Sequence, residues 1–565
     1  MKIKSLLIGA SAVAMLAGTA QAERGADGQL NIIYWQAASI MNPYLSGGTK
    51  DIEAASMALE PLAHYDEDGN IVPTLVDDIP TVENGGVAED LRSITWVLKE
   101  GLVWSDGSPV TAEDVKFTAE YCLNPEGGCQ QLSNFSDISS VEAVDDRTVK
   151  INFSVAKPFP YGPFVGSQVP VLQAAQFADC TGAKAPECSE ENFNPIGTGP
   201  FIITDFKAND VVTFEANQSY READKPAFAS AVFKGGGDAA GAARSVLETG
   251  EFDYAWNMQI EPEVLSQMAS AGKGEVISSF GTSVERIMVN ATNPDPALGD
   301  ERGTVAHPHP FLNDPAVYKA LSLALDREII VEIGYGAAGQ VTCNVLPAPT
   351  IYNSTNNEWC KTQDVDEANR LLDEAGWVPG SDGIREKDGL RLSLLYQTST
   401  NSVRQATQAL VKQMWADIGV EAELRNIDAS VFFGGDQSSP DTFQKFFADV
   451  EMYTNNFDGT DPEAYMGNWA CGEIPSPENQ WLGDNMPRFC DPAYDALVAE
   501  MGQTAALEER AALAIKMNDM LMEAGAMIPL VHRGDVSAKA NSLDGVRMNS
   551  WDSELWNVAD WSRIK

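Results

Sequence analysis

Eight cysteines, four histidines and 82 acidic residues are the side chains of this 565-residue chain suited to covalent, metal or charge chemistry. The cysteines fall into close pairs along the sequence: Cys122 with Cys129, Cys180 with Cys188, Cys343 with Cys360, and Cys471 with Cys490. An even count favours disulfides in an exported protein. Zinc is the rival, yet no C-x-x-C occurs and no His stands at ligand spacing from a pair. Eight cysteines allow many connectivities. Nearest-neighbour pairing is favoured because each loop is short and rich in Gly, Pro or Asn. Each bond would staple a surface excursion, worth about 2–3 kcal/mol.

The remaining chemistry is thin. A hydrolase needs a nucleophile with its base, or a metal. The histidines are His64, His307, His309 and His532, and neither G-x-S-x-G nor H-E-x-x-H is present. His307-Pro308-His309-Pro310 could hold a surface metal, but prolines restrain it to an extended linker. Asp66-Glu67-Asp68-Gly69-Asn70 resembles the start of a calcium loop. Ile71 stands where that loop needs Gly and Asp77 where it needs a bidentate Glu, so a hairpin turn is the better reading. Gly235-Gly236-Gly237 matches neither phosphate-binding spacing, and Asp238 reads as the cap of a helix from Ala239 to Glu248. No catalytic residue, metal or cofactor is expected.

Charge and the first segment narrow the setting. Lys and Arg number 38, the formal net charge is −44, and 44% of residues are hydrophobic. That is globular arithmetic, and it opposes partners bound through phosphate, nucleic acid above all. Residues 1–22 carry Lys2 and Lys4, an apolar run from Leu6 to Ala17, and Ala20-Gln21-Ala22, the marks of a cleaved signal peptide. The apolar run is short for a membrane span, and no Cys follows the cleavage site to carry a lipid. The mature chain is therefore expected to be exported and soluble, without membrane insertion.

The elements that must position these residues alternate in type. Strands are expected at Leu30–Trp35, 93–104 with a turn at Glu100-Gly101, Arg147–Phe153, and onward from Phe201. Helices are expected from Ile52 to Leu62, from Thr111-x-x-Asp114, and over Asp364–Ala375 and Ala506–Glu523. Val317, Ala320, Leu321, Ala324 and Leu325 make an apolar helix stripe. A strand from Leu390 to Tyr396, a helix over Val403–Ile418 and a strand from Val420 to Ile427 read as a βαβ unit in an α/β protein.

Six stretches in order give the chain a resemblance: Trp96–Phe117, Asn194–Phe206, Leu247–Trp256, Leu312–Glu328, Ala368–Trp377 and Leu410–Leu424. Together they resemble the extracellular solute-binding proteins of family 5, the peptide- and nickel-type receptors of ABC importers. The resemblance implies a bilobal α/β flytrap of periplasmic-binding-protein type II with an extra inserted domain and a two-stranded hinge. Domain I would comprise residues 23–65, 193–300 and 529–565, domain II 66–192, and domain III 301–528. It implies a monomer in the periplasm that hands a small solute, chiefly a peptide, to the importer's membrane subunits. A non-peptide amine, an opine-like solute or a nickel chelate is the alternative.

The resemblance also carries site residues. The stretch Tyr453 to Pro462 is similar to the family segment whose acid holds a ligand ammonium, and Asp458 matches that acid by its place before Asp461-Pro462. A carboxylate suits the task in a closed, water-poor cleft; the competing role for Asp458 is a loop cap. Asn455 belongs to the same stretch. Arg404, where the sequence departs from the family, is the candidate partner for a ligand carboxylate by its guanidinium chemistry, the competing role being a helix-surface residue near an N-terminus. Trp35, Tyr44, Trp256, Tyr453 and Phe457 are the candidate aromatic walls.

Overall fold

The computed structural model describes residues 24–436, 438–457 and 459–564. The chain opens with β1 (Gln29–Tyr34) and α1 (Thr49–Ser56). It then builds a small antiparallel sheet from β2 (Ser93–Val97), β3 (Ile138–Ala143) and β4 (Thr148–Phe153), with α2 (Ala112–Cys122) packed on it. The chain returns with β5 (Phe201–Lys207), β6 (Val211–Ala216), β7 (Ser230–Gly235), helix α3 (Ala239–Leu247), β8 (Tyr254–Trp256) and β9 (Gly274–Ser279).

After β9 the chain crosses to a second body. This holds β10 (Val284–Val289), α4 (Pro315–Leu323), α5 (Arg327–Gly334), β11 (Gly339–Val341), α6 (Val365–Glu374), β12 (Ser393–Ser399), α7 (Ser402–Ala416), β13 (Glu421–Ile427), β14 (Val450–Asn455), α8 (Leu507–Glu523) and β15 (Met527–Arg533). It crosses back into β16 (Asp535–Ala540).

Among the described residues the strands form a seven-stranded sheet of order β9-β16-β8-β1-β7-β6-β5 and a six-stranded sheet of order β11-β15-β10-β14-β12-β13. Each sheet has its own apolar core. Tyr34, Phe233 and Tyr254 are buried in the first lobe, and Ile287, Tyr396, Trp415 and Leu530 in the second. The molecule is thus a bilobal α/β protein. The crossings lie at residues 280–283, between β9 and β10, and at Gly534, between β15 and β16. The expected divisions at 300/301 and 528/529 fall elsewhere, because β10 pairs with β14 and β15 inside the second sheet. The crossings are tied together: Ser283 Oγ donates to Asp535 at 3.0 Å, and His532 Nε2 lies 2.9 Å from the Gly281 carbonyl oxygen.

Local rules account for many boundaries. Asp238, Asp314, Asp364 and Asn401 cap α3, α4, α6 and α7, each accepting a backbone N–H of the first turn. Asp114 accepts the Thr111 N–H at 2.8 Å, which closes the capping box of α2. β12, α7 and β13 form the parallel βαβ unit. Helix α1 departs from expectation, starting earlier and stopping at Ser56 rather than reaching Leu62. Pro61 disfavours helix at Glu60. The segment also packs where a Cβ on Gly197 would stand 1.8 Å from the Ala58 carbonyl oxygen, so only glycine fits there.

All four disulfides join nearest neighbours in sequence. Two of the loops so closed, 122–129 in the first lobe and 471–490 in the second, reach toward each other. No described helix is long and apolar enough to cross a membrane. The expected signal segment lies outside the described residues.

Candidate ligand-binding cleft

The space between the lobes has two adjoining chambers of about 1040 and 1250 Å³ of atom-free volume, counting the part open to solvent. Both chambers share Gly47, Ile52 and Gln168 from the first lobe with Asn455, Asn456 and Asp484 from the second. The lobes also touch directly. Lys157 pairs with Glu463, and the Gly459 N–H donates to the Trp551 carbonyl at 2.5 Å.

β14 brings much of the expected site into place, because it runs from the second sheet into the cleft. Tyr453 faces the larger chamber and Phe457 the smaller, while Asn455 borders both. The Phe457 ring stacks on Tyr465 at 4.8 Å, and its backbone is held by Thr282 Oγ1, which donates to its carbonyl at 2.9 Å. Trp256, at the end of β8, borders the larger chamber and stacks on Tyr34 at 4.7 Å. Asp458 lies outside the described residues.

Three expected residues are placed otherwise. Trp35 is packed among Ala239, Val246 and Met258, and its indole N–H donates to the Asn257 carbonyl at 2.8 Å. Tyr44 is fully buried, with its hydroxyl on the Pro170 carbonyl at 2.7 Å. Neither borders the chambers; both bury a ring and satisfy one polar atom, as core aromatics do. Arg404 borders the larger chamber, but its guanidinium is committed. Nε donates to Glu285 at 2.8 Å, Nη1 to Ser399 at 2.9 Å, and Nη2 to Glu285 at 3.3 Å. Burial raises the Glu285 carboxyl, but the charge and hydrogen bonds of Arg404 outweigh it and hold the acid below its usual range.

Sequence reasoning missed Arg533, at the second crossing. It donates to Thr454 Oγ1 at 3.2 Å and to the Asn257 side chain, both neutral, and borders the larger chamber, where its charge works against burial to draw the Glu285 and Asp535 carboxyls downward without a direct ion pair to either among the described residues. Lys50, beside it in the lining, is already paired with Asp51 at 2.9 Å. Carboxylates are plentiful on the floor. Burial pushes Glu53 up to about 7 against hydrogen bonds from Ser553 and the backbone of Glu554 and Leu555. Burial likewise raises Glu554, with Glu53 adding to the effect. Asp552 is the exception: burial opposes ionisation, but His64 at 2.7 Å holds it low.

Asp484 was also missed. Burial pushes its carboxyl up to about 7, Glu473 adds to this, and Arg286 opposes it. Arg286 itself is boxed by Tyr453, Tyr465 and Trp469, with ring centroids 5.4–5.9 Å from its guanidinium carbon, and donates to the Tyr465 hydroxyl at 2.5 Å. The histidine pair seen in the sequence does not meet a metal set: His309 Nε2 lies 2.8 Å from Asp449, and His307 contacts Glu301.

Known proteins share this architecture. The oligopeptide-binding protein AppA from Bacillus subtilis, solved with a nonapeptide, superposes with a TM-score of 0.82 at 20% identity, covering 96% of this chain and 100% of that one. NikZ from Campylobacter jejuni, solved with Ni(L-His), gives 0.79 at 23% identity over 95% and 99%. Among sequences, Protein XP55 of Streptomyces lividans is 29% identical over 384 residues, which span 64% of each protein, under two thirds of that relative's length. The glutathione-binding protein GsiB of Salmonella typhimurium is 23% identical over 512 residues, 89% of each. Residues 70–476 match the family described as bacterial extracellular solute-binding proteins, family 5 Middle. With two lobes, two crossings and a cleft lined from both sides, the chain belongs to the bacterial extracellular solute-binding proteins of family 5.

Proposed function

We propose that this protein is the periplasmic receptor of an ABC importer, which closes on a small solute, chiefly a peptide, and presents it to the membrane subunits without chemistry of its own. The observation that carries the reading is a cleft whose walls come from two bodies joined by two short crossings. A ligand touching both walls stabilises the closed arrangement by its extra contacts there, and only by those. Arg533 supplies a cation for a ligand carboxylate, in the role the sequence assigned to Arg404, while Asp484 and Asp458 supply acids for an ammonium. A zwitterionic peptide fits that division. The acid-rich floor also favours the second reading, a non-peptide amine.

Mass spectrometry of solute released from the natively purified protein tests this. A peptide or amine at near one per chain supports the reading, and steady turnover of a hydrolysable substrate by clean protein contradicts it.

A further inference from the structure

We propose that Asp484, Gln130 and Asn468 form a subsite for an ammonium or guanidinium on the captured solute, set at the seam of the two disulfide-closed loops. The assignment deepens the receptor reading and rests on it. Gln130 follows the 122–129 loop of the first lobe, and Asp484 lies within the 471–490 loop of the second. Asn468 closes the short helix Glu463–Gly467 beside them.

All three border the smaller chamber and all three have polar atoms left over. Gln130 is only 4% exposed, and neither atom of its amide has a hydrogen-bond partner. The Asn468 Oδ1 is buried and equally unpartnered. No side-chain hydrogen bond or ion pair reaches the Asp484 carboxylate among the described residues. Buried polar atoms left unpaired cost about 1–3 kcal/mol each, and native proteins seldom keep several together without a partner to come.

Gly47 fixes where that partner would sit. A Cβ on Gly47 would lie 3.3 Å from Gln130 Oε1 and 3.8 Å from Asp484 Oδ1, so the two oxygens face a common gap that a bare glycine leaves open. The charge of the missing group follows from the carboxylate and from the excess of acceptors over donors around the gap. The Asp484 carboxylate, Gln130 Oε1 and Asn468 Oδ1 accept hydrogen bonds, which the three N–H donors of an ammonium satisfy, while the unpartnered Gln130 Nε2 donor calls for an acceptor elsewhere on the same solute. Glu473 adds negative potential at Asp484. Arg286, the opposing charge, is held in its aromatic box. Phe457 and Tyr465, stacked on each other, border the same chamber and add apolar ring surface to its wall. Because Gln130 and Asp484 come from opposite lobes, a cation between them also fastens the closed arrangement.

The test compares trialanine, its three single-lysine forms and its three single-norleucine forms by calorimetry on the wild-type protein, D484N and Q130L. In the wild type at least one lysine form is expected to bind about 10- to 100-fold tighter than its norleucine counterpart. That preference is expected to vanish in D484N and to shrink in Q130L, with norleucine affinities unchanged. Equal wild-type affinity for lysine and norleucine forms overturns the subsite and leaves the receptor reading standing. So does an equal loss for both forms in D484N, which marks a structural role. Failure of every peptide to bind overturns the peptide reading and the subsite together.

Discussion

Gly128 of the first lobe stands against Leu482 of the second, so closely that a Cβ on Gly128 would lie 2.1 Å from Leu482 Cδ1. The contact joins the two disulfide-closed loops across the mouth of the cleft, and Gly128 has a φ of +61°, which a side chain adopts reluctantly. A bulky residue there must push the loops apart, so it acts against closure.

Gly128→Val is expected to weaken solute binding by about tenfold or more, which corresponds to ~1.4 kcal/mol or more. A modest loss of melting temperature accompanies it, because valine is strained at the left-handed backbone of position 128 whether the lobes are open or closed. Calorimetry against the co-purified solute, alongside a melting curve, separates the two. Unchanged affinity despite the lowered melting temperature would contradict the role of this contact in closure.

The Arg404–Glu285 pair gives a prediction about stability. Both side chains are buried, at 2% and 0% exposure. Removing one partner leaves an uncompensated charge, so Arg404→Met is expected to destabilise the protein by about 3–5 kcal/mol in denaturant titration. Adding Glu285→Gln should restore much of that loss. Were Arg404 a ligand anchor instead, the single variant would keep its stability and lose affinity.

Asp484 gives a pH signature. An acid raised from its ordinary value to about 7 binds its proton more tightly in the folded protein, so stability falls as pH rises from about 4 to 7 and then levels off. Asp484→Asn removes that penalty. The empty variant should be more stable than wild type by on the order of 2–4 kcal/mol at pH 8, and equal to it near pH 3.5. The subsite adds a second consequence. Cation binding needs the ionised acid, so lysine-peptide affinity should drop as pH falls below 7, more steeply than norleucine-peptide affinity. Glu473 and Arg286 bear on this titration, and Glu473→Gln should lower its midpoint.

Asp458 remains a proposed ammonium partner by its position in the sequence. Asp458→Ala is expected to weaken an amine-bearing solute by about 1.5–3 kcal/mol. Unchanged affinity in calorimetry would remove it from the site and leave the ammonium to Asp484.

What could be read from the sequence was local. Asp238 and Asp364 announce their helices because a cap bonds within its own first turn, and the βαβ unit follows from periodicity closed by Gly419. The cysteine pairs are near neighbours, and chain proximity settled them. Of the residues bordering the cleft, the sequence pointed to Trp256 and to Tyr453, Asn455 and Phe457, which lie in one stretch along β14 and the loop after it. Arg404 was misread because the acid that claims it is 119 residues away. Trp35 and Tyr44 were misread because a buried ring and a ligand-facing ring look alike until packing is known. Asp484 carried no signal beyond a Gly-Asp-Asn turn between two cysteines. Its meaning comes from Gly47 and Gln130, brought beside it by the meeting of the lobes.

The central claim is that the lobes close on a solute they both touch, and small-angle X-ray scattering addresses it most directly. Profiles should be recorded for protein stripped by partial unfolding and refolding, and for the same protein saturated with the solute it co-purifies with. The account predicts a smaller radius of gyration on loading, reversed when the solute is stripped again. Superimposable profiles at saturating solute would contradict it.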